Sequence, residues 1–186
     1  MLVFPPVKAL RPTLRLAAPA LLTGAAAVVT IAAVWILQNS GYAPCELCLK
    51  ERLPFYWGIP LALFVAFLAQ RGRTSLLPAG YAALGIIFLA GAALGVYHTG
   101  VEWKFWAGPS SCTGDFSAPA AVTDFLHQLQ TTQVVRCDAP ALRIAGLSLA
   151  AWNVVLCLAL VAISIFGFVT VDRARTALVP VAPSRG

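Results

Sequence analysis

The sequence predicts an all-α membrane protein, a four-transmembrane-helix bundle with one long outer loop that carries a short interfacial helix. Two observations predict it. The chain of 186 residues is 60% hydrophobic and only 11% charged, against about 25% charged in soluble proteins. Four apolar runs, Leu16 to Leu37, Leu53 to Ala69, Leu76 to Tyr97 and Ala145 to Val171, approach or exceed the roughly 20 residues that cross a bilayer. Around them lie an arm over 1–15, a connection over 38–52, a tight turn after the second run, a loop over 98–144 and a tail over 172–186. One membrane domain is the economical reading.

Charge orients the spans. The net charge of +6 does not gather into a patch that could read a nucleic-acid groove. Lys8, Arg11 and Arg15 precede the first span, Arg71 and Arg73 fill the tight turn, and Arg173, Arg175 and Arg185 follow the fourth. By the positive-inside rule these flanks and both termini are cytoplasmic. Six of the seven acidic residues and four of the five cysteines fall in the other two loops. Those cysteines then face an oxidising compartment such as the bacterial periplasm, where disulfides persist.

The arm before Thr13 offers no chemistry. The first span is rich in alanine and carries Thr23 and Gly24, small residues that let membrane helices approach closely. Its apolar run exceeds the 7–15 residues of a secretory signal, so it is expected to stay attached. Gln38 to Pro44 is a loop by composition.

It leads into Cys45-Glu46-Leu47-Cys48-Leu49-Lys50-Glu51-Arg52. A thiol becomes a nucleophile as its thiolate, and a helix N-terminus or a nearby cation stabilises that anion. Pro44 is suited to open a helix. The i, i+4 spacing of Cys48 and Arg52 puts sulfur and guanidinium on one helical face. Pro54 limits the continuation, so the spacing predicts a short surface helix over 45–52 and a spanning helix that begins near Pro54. A CxxC pair can also be half of a zinc site or an inert disulfide. Leu49, where a histidine would be needed, excludes haem attachment.

The second span has Tyr56 and Trp57 near its outer end and Pro60 inside it, a kink tolerated in a membrane. Gly91 and Gly95 in the third form a GxxxG face for close packing. That span runs into Tyr97-His98-Thr99-Gly100-Val101-Glu102-Trp103, where His98 can bond a ligand, move a proton or simply bond a neighbouring helix. All five tryptophans map to the outward half, as a one-sided interfacial belt or an aromatic pocket. The long loop holds Cys112 and Cys137. Between them Val122, Phe125, Leu126 and Leu129 fall on one face of an amphipathic helix over 121–130, with His127 on its polar side. Cys157, in the apolar fourth span, reads as a small hydrophobe.

These residues, CELCLKER at the start of the second span, YHTGVEW at the end of the third and two further cysteines in the long loop, resemble the bacterial disulfide-bond-formation family DsbB. The likeness covers the chain except its two ends. It implies an inner-membrane oxidoreductase that reoxidises a periplasmic thioredoxin-fold partner of the DsbA type and passes the electrons to a membrane quinone, ubiquinone or menaquinone. On that likeness Cys112 and Cys137 form the periplasmic loop disulfide, with Cys112 the sulfur the partner attacks. Cys137 passes electrons to Cys45, and Cys48 is the thiolate that faces the quinone. Arg52 matches the arginine that stabilises that thiolate and the quinone oxygen, and His98 stands near the quinone. No metal is implied, and the absence of a GxGxxG motif argues against a nucleotide cofactor. A vitamin K epoxide reductase type of thiol enzyme is the nearest alternative, but there the loop cysteines precede the CxxC. A metal-binding or purely structural membrane module is the other.

Overall fold

The computed structural model describes residues 7–109, 112 and 136–177, with residues 7–12 described by backbone alone. Its helices are α1 (Val7–Asn39), α2 (Glu46–Lys50), α3 (Leu53–Gln70), α4 (Leu77–Glu102) and α5 (Leu149–Thr176). All but the five-residue α2 are long and apolar enough to cross a membrane. The protein is thus a four-helix membrane bundle. Large apolar side chains on its outside, such as Ile86 at 68% and Phe166 at 66% exposure, would be costly in water and belong against lipid.

The four long helices close a ring: α1 packs on α3 and α5, α3 on α4, and α4 most extensively on α5. Small residues make that last contact possible. A Cβ on Gly91 would meet Cys157 Sγ at 2.9 Å, and one on Gly95 would meet the Ala150 carbonyl oxygen at 3.3 Å. Between the helices the core is filled by Ala17, Ala20, Ala62, Leu84 and Phe88, the last packed edge-on against Phe55 with centroids 5.7 Å apart.

Helix ends follow from local chemistry. Gly72, at φ +68°, turns the chain after α3, and the Arg73 N–H reaches back to the Leu68 carbonyl at 3.0 Å. Ser148 caps α5 by accepting from the Ala151 N–H at 3.2 Å. Just before it, β1 (Arg143–Ile144) and β2 (Leu147–Ser148) pair antiparallel through a two-residue turn, Ala145-Gly146, with positive φ at both positions. The apolar run that begins at Ala145 therefore becomes helix only from Leu149. At the other boundary α4 continues beyond Tyr97 to Glu102, so His98 sits on the helix itself. The amphipathic segment over 121–130, the extreme amino-terminal arm and the end of the tail lie outside the described residues.

Candidate functional site

Sulfur caps the short helix. Cys45, in extended backbone after Pro44, accepts a hydrogen bond at its Sγ from the Cys48 N–H at 3.3 Å. The cap brings the two sulfurs to 2.9 Å, both as free cysteines. Leu47, buried between them in sequence, anchors the turn. On the other side of Cys45, His98 Nε2 lies 3.6 Å from Sγ, and the opposite ring nitrogen, Nδ1, lies 3.0 Å from Glu51 Oε1. Cys45, His98 and Glu51 are exposed by only 4%, 3% and 8%.

This surrounding favours an anion at Cys45. Hydrogen bonding from the Cys48 thiol, together with His98 and against the opposing effect of burial, lowers the Cys45 thiol from its ordinary 9.0 to about 4. The Cys48 N–H and the His98 ring on either side of the Cys45 sulfur thus favour a thiolate there in the reduced pair. The resemblance assigned that state to Cys48.

Arg52 and Cys48 do not share a single helix, because α2 ends at Lys50 and α3 begins at Leu53. The turn between them still brings both to one place. Cys48, Glu51 and Arg52 line a cavity of about 400 Å³ whose other walls are mostly apolar, including Val29 and Ala33 of α1 and Leu156 of α5. Arg52 is held there by donating from Nη1 to Gln38 Oε1 at 2.8 Å, at the end of α1. The cavity is an apolar slot with a few polar groups, in the size range of small-molecule sites, and could hold a flat apolar ligand that carries a polar atom.

Cys112 and Cys137 are bonded to each other. That disulfide is buried in one small cluster with Cys45, Leu47 and Val101, and Cys48 packs against the same cluster. Next to it Asp138 takes a two-pronged contact from Arg136, at 2.8 and 2.7 Å, and a further ion pair from Lys104 at the end of α4. Arg136, then Lys104, hold the Asp138 carboxyl well below the usual range. These pairs link the chain beside Cys137 to Lys104, just beyond the end of α4, through largely exposed cations.

Cys157 stands apart, wholly buried against Gly91 with its thiol 3.6 Å from Asn153 Oδ1. As to metal, Cys45, Cys48 and His98 offer three ligand atoms within 4.8 Å of one another. The four-cysteine zinc site that spacing left open is not formed, since Cys112 and Cys137 are joined. Sequence reasoning passed over Glu51 and Gln38. Glu51 had a signal, the spacing by three of Cys45, Cys48 and Glu51; Gln38 had none beyond its place at the end of an apolar run.

A family model described as "Disulfide bond formation protein DsbB" matches residues 15–167. Two curated proteins called "Disulfide bond formation protein B" are similar in sequence. The one from Cupriavidus pinatubonensis is 29% identical over 132 residues, 66% of this chain and 73% of the relative. The one from Cupriavidus necator is 28% identical with the same coverage. An uncharacterized protein of Rickettsia prowazekii is 26% identical over 62% of this chain and 65% of its own length. No solved structure matches the chain.

Proposed function

The chain belongs to the DsbB family of disulfide bond formation proteins, and from that premise we propose that it reoxidises a periplasmic DsbA-like thioredoxin-fold protein and passes the electrons to a membrane quinone. The observation that carries the reading is the order of groups. A bonded sulfur pair, a free pair packed on it, and an apolar cavity lined by the second sulfur of the free pair follow one another at one end of the bundle. Family membership supports disulfide chemistry in a multi-pass inner-membrane protein; partner, acceptor and sidedness are our reading.

In this reading the redox cysteines are periplasmic and both termini cytoplasmic. The partner's thiolate attacks Cys112, and Cys137 leaves as a thiolate. Cys137 then attacks Cys45 of an oxidised Cys45–Cys48 pair, and Cys48 leaves as a thiolate at the cavity. While Cys45 is occupied in that bond it cannot be the anion, which reconciles its low pKa in the free dithiol with a Cys48 thiolate during turnover. The partner's second thiol, on losing its proton, attacks the partner sulfur bonded to Cys112, which leaves the partner as a disulfide and frees Cys112 as a thiolate; Cys112 then attacks Cys137, re-forming the loop disulfide and releasing Cys45. Arg52, which lines the same cavity as Cys48, supplies positive charge there and would orient an acceptor oxygen. A bound quinone, ubiquinone or menaquinone, supplies the two-electron acceptor that drives the sequence. Oxidation of a strongly oxidising partner needs such a sink, since for a two-electron couple about 30 mV already corresponds to a tenfold change in equilibrium.

The test is purified full-length protein given a reduced thioredoxin-fold partner and a short-chain ubiquinone or menaquinone. Quinone reduction that disappears in Cys48→Ser is the expected result. Retained reduction in that variant, or none in the wild type with either quinone, overturns the reading. The order of cysteines, CxxC first, favours this family over the vitamin K epoxide reductase type. Stoichiometric zinc with no quinone-linked change would instead point to the three-donor cluster of Cys45, Cys48 and His98.

A further inference from the structure

Closing a dithiol into a disulfide releases two electrons and two protons, and a quinone acceptor needs both. The electrons have a path through sulfur. Cys48 lines the cavity and can release its own proton there, but Cys45 and His98 are not among the residues that line it. One residue belongs to both places. Glu51 lines the cavity and receives His98 Nδ1 at 3.0 Å, while His98 Nε2 faces Cys45 Sγ at 3.6 Å.

We propose that His98 and Glu51 form the proton path from Cys45 to the cavity, His98 holding the Cys45 proton and Glu51 presenting it to the acceptor. An imidazole can take a proton on one nitrogen and give one up from the other, and its two nitrogens point at the two ends of this path. Packing does not account for the acid. A carboxylate buried to 8% exposure is costly unless it is paired, and an apolar side chain would seal the bundle without that cost.

The step balances. Once Cys45 has been released and Cys48 has taken up the proton given up by the partner's second thiol, the reduced site holds a Cys45 thiolate, a His98 imidazolium, a Cys48 thiol and a Glu51 carboxylate. The Cys45–Cys48 bond forms, the Cys48 S–H bond breaks, and two electrons go to the quinone acceptor. The Cys48 proton enters the cavity directly; the His98 Nδ1 proton passes to Glu51 and from it to the cavity. A disulfide, a neutral imidazole and a carboxylate remain, and the acceptor has gained two electrons and two protons. Among the described residues, the other titratable or charged groups around the pair are Cys48 of α2, Arg52 before α3, Glu102 of α4 and Cys157 of α5.

The quinone as acceptor rests on the function proposed above, so the test has one arm without it. Full-length protein in lipid nanodiscs, wild type, Glu51→Gln and Glu51→Asp, is reduced and then oxidised by ferricyanide while infrared difference spectra are recorded. A redox-linked shift of a carboxylate band, as Glu51 loses its imidazolium partner, that vanishes in Glu51→Gln and moves in Glu51→Asp is expected, with an imidazolium signal from labelled His98 present only in the reduced state. In the second arm, single-turnover reduction of a short-chain ubiquinone is slowed about a hundredfold in Glu51→Gln, with loss of the wild-type pH profile and substantial recovery in Glu51→Asp. Quinone reduction within about twofold of wild type in Glu51→Gln, or no carboxylate shift or imidazolium signal in the wild type, overturns the proton path and leaves the oxidase reading standing. Failure of the wild type itself to reduce quinone, with the infrared signals intact, overturns the oxidase reading instead.

Discussion

Cys45, at one end of the bundle, and Cys157, in the middle of it, are buried to nearly the same degree, 4% and 0% exposed. Their surroundings differ in what they offer a sulfur. Cys45 faces the Cys48 N–H, the Cys48 thiol and an imidazole backed by a carboxylate. Cys157 faces the bare backbone of Gly91, apolar neighbours and a single amide oxygen, which can only accept a hydrogen bond from it. Burial alone makes a cysteine a hydrophobe; donors placed around a buried cysteine make it a nucleophile. The same bundle thus contains a thiol in apolar surroundings at a close approach of two helices and a thiol ringed by donors that caps a helix.

Substitution of the two sulfurs breaks or upholds that contrast most directly. Cys45→Ser is expected to lower partner-dependent quinone reduction on the order of a thousandfold or more, as removal of a nucleophile does, whereas Cys157→Ser stays within about twofold. Steady-state rates on both variants check it. A Cys157→Ser variant that folds but is inactive would show that the middle of the bundle carries chemistry after all.

The anion at Cys45 gives the next largest effect. With its thiol near 4 in the reduced pair, thiolate absorbance is expected to be flat from neutral pH downward and to fall only as pH drops through about 4. The lowered value makes the folded reduced site more stable as pH rises from about 4 towards 9, and that contribution is lost in acid. His98→Asn moves the midpoint up, but only part of the way to 9.0, because the Cys48 thiol is the larger cause and remains. Ultraviolet titration of the reduced protein measures both midpoints. An unchanged midpoint in His98→Asn would mean that the imidazole does not reach the sulfur.

The contrast also explains what could be read from the chain and what could not. Four apolar runs and the CxxC show in composition and local spacing, and Gly91 and Gly95 announced a packing face that α5 does occupy. Glu51 and His98 are 47 positions apart, and nothing local to either specifies the other; only the docking of α2 against α4 brings them together. The start of α5 is not legible in the sequence for a different reason. Ala145 and Gly146 are apolar by composition but take positive φ in a hairpin turn, and hydropathy is blind to backbone conformation. Gln38 meets Arg52 across the bundle end, again a contact made by tertiary packing.

The inert half of the comparison can be sharpened at Gly95. A larger residue there meets Asn153 Nδ2 at 3.0 Å and the Ala150 carbonyl oxygen at 3.3 Å, and neither belongs to the flexible tip of a long side chain. Gly95→Leu is expected to cost about 1–3 kcal/mol, the usual range for overpacking, seen as a lower midpoint of thermal unfolding in detergent. The Cys45 titration should keep its shape, since the sulfur site depends on α2 and the end of α4. A variant that unfolds normally but loses the low Cys45 midpoint would show that the two regions are not separable.

The smallest effect belongs to the clamp beside Cys137. Asp138 is paired with Arg136 and Lys104, but the side chains of both cations are largely exposed, at 66% and 62%, and exposed ion pairs contribute little. Asp138→Asn is therefore expected to speed reduction of the Cys112–Cys137 disulfide by dithiothreitol less than about threefold at low ionic strength. The difference should shrink towards none at about 1 M salt, where the Debye length is only about 3 Å. The reason is that the disulfide is held by burial against Cys45, Leu47 and Val101, an attachment that salt does not screen. An acceleration of tenfold or more that vanishes in salt would reverse this ranking and make the charged clamp, rather than the apolar seat, what keeps the second sulfur pair on the first.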